Sequence, residues 1–114
     1  MERLALLRQK YGARFLDRVF TCVEQERCGD GPACDERYAA RFAAKEACMK
    51  AFGTGWGSGV NFADIEVRTE ESGQPLVTLS GGAKRLCDER GVTHIHISLS
   101  HERDNAVAFV ILEA

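Results

Sequence analysis

Apolar side chains recur at every third or fourth position over residues 2–20, which is the pattern of an amphipathic helix. Thr21 followed by Glu24 has the form of a capping box, so a short second helix is predicted over residues 21–27. After a break rich in glycine, a run of strong helix formers predicts a third helix over residues 35–52. The apolar positions of the first helix are Leu4, Leu7, Tyr11, Phe15 and Val19.

The apolar period changes to two after residue 60, as expected for strands. Strands are predicted over residues 62–67 and 76–79, joined as a hairpin, and a helix over residues 82–90 follows them. Residues 94–100 alternate between isoleucine or leucine and histidine or serine, whereas residues 106–112 are almost continuously apolar, as in a strand covered on both faces. This order predicts an α+β fold with N-terminal helices packed on a mainly antiparallel sheet.

The length and composition of the chain limit its class. A chain of 114 residues accommodates one domain, so residues 1–114 are predicted to form a single unit. Hydrophobic residues make up 45% and charged residues 28%, which is ordinary for soluble globular proteins. No apolar run approaches the ~20 residues that cross a bilayer, and the N-terminus lacks the pattern of a signal peptide. We therefore expect a cytoplasmic protein without a membrane or nucleic-acid partner.

Five cysteines form an odd set, which argues against a fully paired secreted framework. The first three repeat with five residues between neighbours, which is not the Cys-x-x-Cys pattern of zinc sites. Reduced thiols are therefore expected in preference to a metal or redox role. The cysteines are Cys22, Cys28, Cys34, Cys48 and Cys87.

The third predicted helix carries one carboxylate among three cations. Helical spacing places Glu46 and Lys50 along one side and Arg41 and Lys45 along the adjacent one. One interpretation is a solvated helix face with a Glu-to-Lys pair worth about 0.2–0.5 kcal/mol. The other is a site for a polyphosphate and its divalent cation, with Glu46 as an oxygen ligand of the metal and the cations bound to phosphate oxygens.

Four glycines follow this helix at alternate positions over residues 53–59, where the backbone can approach a ligand closely or form a flexible loop after a helix cap. The run Arg-Phe-Ala-Ala-Lys-Glu-Ala-x-x-Lys-Ala from Arg41, followed by Phe-Gly-Thr-Gly, resembles the signature of the small holo-acyl-carrier-protein synthases, the short 4'-phosphopantetheinyl transferases. Residues 60–67 and 96–102 fit the same family. The resemblance covers most of the chain, from about residue 14 onward.

The resemblance implies an enzyme that transfers the 4'-phosphopantetheine arm of coenzyme A to a serine of an acyl carrier protein and releases adenosine 3',5'-bisphosphate. Mg²⁺ bridges the pyrophosphate in that family, and Glu46 matches its helix ligand. The family assembles as a homotrimer, with coenzyme A between subunits. Its usual role lies in fatty acid biosynthesis, a branch of lipid metabolism, and the sequence leaves a polyketide carrier open.

The resemblance also assigns roles to residues that contact the coenzyme. Arg41, Lys45 and Lys50 become phosphate contacts, and Lys50 assists at the reacting pyrophosphate. Gly53 and Thr54 line the coenzyme, and the pair Ser100 and His101 lies by its nucleotide. Ser100 and His101 are not expected to act as a nucleophile and its general base, because adjacent residues of a strand point to opposite faces. His94 and His96 are interpreted as residues of a polar strand face.

The N-terminal segment is basic, since five cationic residues oppose two acidic ones over residues 1–18. Such a face is either solvated or complementary to an acidic partner. The resemblance implies that Arg3, Arg14 and Arg18 face the acidic recognition helix of the carrier protein.

The sequence departs from the family at its beginning. Family members start with a strand whose aspartate is the other protein ligand of magnesium, and this sequence starts just after that strand. We expect a start codon assigned too late, and two alternatives are a truncated chain and a paralogue that has lost catalysis. The last alternative predicts a non-catalytic module that binds the carrier protein or coenzyme A.

Overall fold

A computed structural model of the chain describes residues 12–29, 31–53, 59–70, 72–102 and 105–114. The helices are α1 (Ala13–Val19), α2 (Cys22–Cys28), α3 (Cys34–Phe52) and α4 (Gly81–Glu89). The strands are β1 (Ile65–Thr69), β2 (Pro75–Leu79), β3 (His94–Glu102) and β4 (Asn105–Glu113). The first eleven residues, which include most of the predicted first helix, lie outside the described residues.

The predicted capping box starts helix α2. The Thr21 hydroxyl oxygen accepts a hydrogen bond from the Glu24 amide at 3.2 Å, and Glu24 Oε1 accepts one from the Thr21 amide at 2.9 Å. Two backbone donors that the helix itself leaves unpaired are satisfied in this way. The prediction of a short helix at this place is confirmed.

Helix α3 is the longest described element, and both of its ends follow from local chemistry. Acidic Asp35 and Glu36 lie in its first turn and Lys50 in its last, which complements the helix dipole. Gly53 ends the helix in the left-handed region at φ 70°, which a glycine adopts without steric cost. Arg90 Nη1 donates a hydrogen bond to the Phe52 carbonyl oxygen, so the residue that follows α4 also holds this end of α3.

The described strands form two antiparallel pairs. Strand β1 pairs with β2, with Ile65 opposite Leu79, and β3 pairs with β4, with His94 opposite Glu113. The prediction of a strand from residue 62 was wrong at its start, because Phe62–Asp64 form a 3₁₀ turn. The Asn61 amide donates to Asp64 Oδ2 at 3.0 Å, and this bond closes the turn before the strand begins.

Within the described residues of this chain, strand β4 is covered on one face, so the expected cover of its second face is not provided by them. Val110 and Leu112 pack against a buried cluster beneath the helices. Phe109 and Ile111 point the other way and are 70% and 66% exposed. The side chains of a strand alternate between faces, and the helices lie against only one of them.

Among the described residues, the buried apolar side chains form two clusters, and helix α3 contributes to both and so joins them. The fold class predicted from the sequence, helices packed on antiparallel strands, is confirmed. Within the described part of the chain, no helix is both long and apolar enough to cross a membrane. The buried members of the first cluster are Val19, Phe20, Cys28, Cys34, Tyr38, Ala39 and Phe62, and those of the second are Cys48, Phe52, Val60, Ile65, Ala83 and Cys87.

Candidate functional site

Two predicted site residues, Glu46 and Lys50, lie one helical turn apart on α3. Glu46 is half-buried and Lys50 is exposed. Among the residues that the structure describes, neither side chain has a hydrogen-bond or ion-pair partner. The Glu46 carboxylate and the Lys50 ammonium thus lie on the same side of α3, one turn apart.

Arg41 lies on the same helix and is half-buried. Its Nη1 donates to the Arg37 carbonyl oxygen at 3.2 Å, whereas its Nε is buried and has no hydrogen-bond partner in the part of the chain that the structure describes. A buried donor without an acceptor costs about 1–3 kcal/mol.

Lys45 occupies a different environment from the one that the sequence predicts. Its side chain is fully buried, and its Nζ lies 2.7 Å from Glu24 Oε1. The same ammonium donates to the carbonyl oxygens of Phe62, at 2.9 Å, and Ile65. An ammonium has three donors, and these three acceptors use all of them. In this structure Lys45 therefore has no donor left for a phosphate. Its ammonium instead links α3 to α2, through Glu24, and to the start of β1, through the two carbonyl oxygens.

Glu24 is the residue whose importance sequence reasoning missed, because its sequence context indicated only a helix cap. Besides the Lys45 ammonium, its Oε1 accepts the Thr21 amide, and its Oε2 accepts the Val67 amide at 2.9 Å. Burial lowers the pKa of Lys45, and the adjacent Glu24 carboxylate opposes this shift. The capping pattern could have identified Glu24 as anchored, but no local pattern predicts a partner as distant along the chain as Lys45.

A second carboxylate, Glu66, lies beside this buried pair. Its Oε1 accepts a hydrogen bond from the Thr21 hydroxyl at 2.7 Å, and its Oε2 lies 2.7 Å from Arg68 Nε. The bond from Thr21 is the main reason why the pKa of Glu66 is lowered, and Arg68 lowers it further. Burial of the carboxyl acts in the opposite direction. Thr21 thus contacts both Glu24 and Glu66.

The remaining predicted site residues are placed only in part. Gly53 is exposed at the end of α3, and Ser100 is exposed on β3. Thr54 lies outside the described residues, and so does the side chain of His101. Helix α3 packs against both β3 and β4, so Ser100 belongs to a sheet that supports this helix.

The predicted partner face is likewise described in part. Arg14 and Arg18 are exposed and lie one turn apart on α1, whereas Arg3 falls outside the described residues. The Asp17 carboxylate between them accepts a hydrogen bond from the Gln25 side chain at 3.2 Å. Two exposed cations therefore lie one turn apart on α1.

The predicted metal ligand on α3 is the carboxylate of Glu46, a hard oxygen donor of the kind that magnesium binds. In the described part of the chain, no group of three or more histidine, cysteine or acidic residues could hold a metal ion. Magnesium commonly binds through one or two carboxylates, together with substrate phosphates and water. Glu46 fits that donor set as one hard oxygen ligand.

Two of the three histidines lie side by side on β3. His94 and His96 are exposed on the predicted polar face of β3, and their ring centroids lie 6.2 Å apart in a stacked arrangement. Glu113 Oε1 lies 3.6 Å from His94 Nδ1 and 3.7 Å from His96 Nε2. The interpretation of these residues as part of a polar strand face agrees with their exposure.

Comparison with known proteins gives consistent matches over nearly the whole chain. Residues 1–110 match the model of the 4'-phosphopantetheinyl transferase superfamily. A holo-acyl-carrier-protein synthase of Methylobacterium radiotolerans is 48% identical over 118 aligned residues, which cover 100% of this chain and 87% of that protein.

Solved structures match the fold equally well. The crystal structure of a holo-acyl-carrier-protein synthase from Neisseria meningitidis aligns with a TM-score of 0.89 and 32% identity over 99% of this chain and 90% of that one. The corresponding enzyme of Helicobacter pylori, solved in complex with coenzyme A, aligns with a TM-score of 0.85 and 30% identity over 98% and 92% of the two chains. This chain is thus similar to these proteins in both sequence and fold.

Proposed function

The chain belongs to the holo-acyl-carrier-protein synthases of the 4'-phosphopantetheinyl transferase superfamily, and from this premise we propose the reaction that it catalyses. The enzyme transfers the 4'-phosphopantetheine arm of coenzyme A to a serine hydroxyl of an apo acyl carrier protein. The reaction depends on Mg²⁺ and releases adenosine 3',5'-bisphosphate. The coenzyme A complex of the Helicobacter pylori relative supports the choice of donor.

The observation that carries this proposal is the pair Glu46 and Lys50, one turn apart on α3 and without partners among the described residues. Cleavage of a pyrophosphate bond builds negative charge on the leaving phosphate, and fixed positive charge stabilises it. Glu46 would hold magnesium, which when bound supplies positive charge at the pyrophosphate. Lys50, one turn along the helix, would donate a charge-assisted hydrogen bond to the same phosphates.

Other residues are proposed to contact the coenzyme together with this pair. Arg41 is proposed as a further phosphate donor, because its buried Nε has no hydrogen-bond partner among the residues that the structure describes. We keep Gly53, Thr54, Ser100 and His101 as proposed coenzyme contacts. Lys45 is left out of this set because its three donors are already bound to Glu24 and to two backbone carbonyls.

The carrier protein is proposed to dock on α1. Arg14 and Arg18 are exposed there, and an acidic carrier helix is a complementary partner that such charges would steer into place. Arg3 is part of the same proposed face. The carrier protein would then dock on residues of α1, whereas its serine would react beside residues of α3.

Assembly as a homotrimer is supported by the uncovered face of β4. Phe109 and Ile111 lie two residues apart on that face and are mostly exposed. Large apolar side chains that are contiguous and exposed commonly mark an interface between proteins. We propose that copies of this chain cover this strip and that coenzyme A binds between subunits.

The test is incubation of the purified chain with coenzyme A, Mg²⁺ and apo carrier protein, followed by intact-mass measurement of the carrier. The expected result is a gain of one phosphopantetheine arm that a chelator abolishes. Glu46→Gln should lose the transfer, whereas the matched change Glu36→Gln, at an exposed position in the first turn of α3, should retain it. Full activity of Glu46→Gln would remove Glu46 from the metal site. Coenzyme A binding without any transfer would favour the non-catalytic module.

A further inference from the structure

Glu24 and Lys45 form an ion pair with no exposed surface on either side chain. Taking two charges out of water is costly, and apolar residues of similar volume often stabilise a protein as well or better. The pair is therefore weak evidence for stability alone. In some proteins, buried pairs of this kind impose a particular geometry on the elements that they join.

Glu24 connects three elements through its two oxygens. It accepts the Thr21 amide at the start of α2, the Val67 amide of β1 and the Lys45 ammonium of α3. A carboxylate that accepts bonds from fixed backbone amides is itself held in one position. It thus gives Lys45 an anchor that belongs to α2 and β1 rather than to its own helix.

Lys45 extends the same connection to the segment before β1. Its ammonium also donates to the carbonyl oxygens of Phe62 and Ile65, which lie at the start of the 3₁₀ turn and at the start of β1. Three acceptors on two separate segments determine where the ammonium lies. The position of its backbone on α3 is restricted accordingly.

Glu46 is the next residue after Lys45 on α3. Successive helical residues are separated by about 100° around the axis and about 1.5 Å along it. Lys45 fixes which side of α3 faces the interior. The position of Glu46, on the adjacent half-exposed side, is therefore fixed as well. A rotation or slide of α3 at this point would move the Glu46 carboxylate directly.

We infer that Glu24 is a positioning residue for Glu46, acting through the Lys45 ammonium and the rotation of α3. The inference rests on the proposed function, because it requires Glu46 to be the metal ligand. Magnesium requires near-octahedral coordination with metal–oxygen distances of about 2.0–2.1 Å, so a small displacement of one carboxylate has a large effect on binding. A displacement of about 1 Å in a reacting arrangement can cost about 100-fold in rate.

The test compares two variants of the pair. Glu24→Asp keeps the charge but shortens the side chain by one methylene. The Lys45 ammonium must then move with the carboxylate or lose its contact with it. The double variant Glu24→Met with Lys45→Met replaces the buried pair by apolar side chains of similar length. The matched control is the exposed pair of α4, changed by Lys84→Met with Asp88→Asn, whose charged atoms lie 3.3 Å apart.

The readout separates positioning from folding. Circular dichroism and thermal unfolding identify the folded variants, and Mn²⁺ binding in the presence of coenzyme A is then titrated by electron paramagnetic resonance. At least one Glu24 variant should fold and bind Mn²⁺ at least about 10-fold more weakly. Its kcat should fall, while its KM for the carrier protein stays within about twofold of wild type. The Lys84 and Asp88 variant should match wild type in every measurement.

Each contrary outcome has a definite meaning. Wild-type Mn²⁺ affinity in every Glu24 variant that folds would overturn the inference. Loss of the fold in both variants would assign the pair to stability and overturn it as well. If Glu46→Gln binds Mn²⁺ as tightly as wild type, the failure lies in the proposed function, because Glu46 is then not the metal ligand.

Discussion

Gly82 lies so close to Gly59 that a Cβ atom on residue 82 would stand 1.8 Å from the Gly59 carbonyl oxygen. The backbone of Gly82 is not in the left-handed region, so the requirement for glycine is one of space rather than of φ. Gly59 ends the glycine-rich segment that follows α3. The first turn of α4 therefore packs directly on the backbone at that end of the segment.

We expect Gly82→Ala to lower the free energy of unfolding by about 1–3 kcal/mol, because the added methyl forces the two backbones apart. Helix propensity alone would give the opposite sign, since alanine stabilises a helix interior by about 1 kcal/mol relative to glycine. Urea denaturation of both proteins measures the difference.

Gly31→Ala is the matched control for this change. Gly31 also lies outside the left-handed region, and a Cβ there would have nothing within 4 Å. Its unfolding free energy should stay within about 0.5 kcal/mol of wild type. Equal losses in the two variants would contradict the steric explanation at Gly82.

The ionised Glu66 carboxylate should stabilise the fold in a pH-dependent way. Its pKa lies below the ordinary value of 4.5, mainly because it accepts the Thr21 hydroxyl. A lowered pKa in the folded state means that this stabilisation is complete above the ordinary value and is lost as the pH falls through the folded value. The difference in unfolding free energy between wild type and Glu66→Gln should therefore be greatest at neutral pH and shrink below pH 4.5.

Urea denaturation at a series of pH values from neutral to acidic measures this difference. Thr21→Ser keeps the hydroxyl donor and should retain the pH dependence, whereas Thr21→Val should flatten it. A wild-type advantage over Glu66→Gln that stays constant through the acidic range would show that Glu66 does not titrate in this way.

The helices were predictable because their boundaries depend on neighbouring residues. The capping box predicts the start of α2, and the glycine after Phe52 predicts the end of α3. The function of Lys45 was not predictable in the same way. The spacing of Lys45 on α3 is also that of a phosphate contact. Only the structure, in which the Glu24 carboxylate lies next to the Lys45 ammonium, shows that the donors of Lys45 are already used.

The uncovered face of β4 illustrates a second limit of sequence reasoning. A continuous apolar run predicts cover on both faces, but the sequence does not say whether this chain or another copy provides it. The helices provide one cover, and Phe109 and Ile111 are left exposed. Of the candidate site, Glu46, Lys50 and Gly53 could be located from one helix and its cap, because they are parts of a single element.

Charge reversal on α1 should affect the carrier protein and spare the coenzyme. Arg14→Glu places a negative charge on the proposed docking face, so the KM for the carrier should rise at least about 10-fold, while the KM for coenzyme A stays within about twofold. Steady-state kinetics with each substrate varied in turn measure both constants. Arg85→Glu makes the same charge change at an exposed position of α4 and should leave both unchanged. Equal effects of Arg14→Glu on the two substrates would argue against docking on α1.

The exposed strip of β4 predicts how the chain assembles. Wild type should run as a trimer in size-exclusion chromatography with light scattering, and Phe109→Asp with Ile111→Ser should shift the mass to that of one chain. The far-ultraviolet spectrum should stay the same, because both side chains are largely exposed in the single chain. Leu76→Ser, at an exposed apolar position of β2, is the control and should remain trimeric. A monomeric wild type would reject this use of the strip.

The five thiols should differ sharply in reactivity, since the thiolate is the reactive form and burial opposes its formation. Cys22 is exposed, whereas the other four are buried. Burial raises the pKa of Cys28 to about 11 and that of Cys48 to about 12. Titration of the native protein with a thiol reagent at mildly alkaline pH should therefore give one fast-reacting group.

Cys22→Ser identifies that group, because it should remove the fast phase and leave four thiols that react only in denaturant. A fast phase that persists in Cys22→Ser would mean that a second cysteine becomes accessible through local opening. The same titration repeated on Cys28→Ser would show whether the opening lies at the junction of α2 and α3. In that case the core around Val19, Phe20 and Tyr38 would open more readily than the burial of Cys28 predicts.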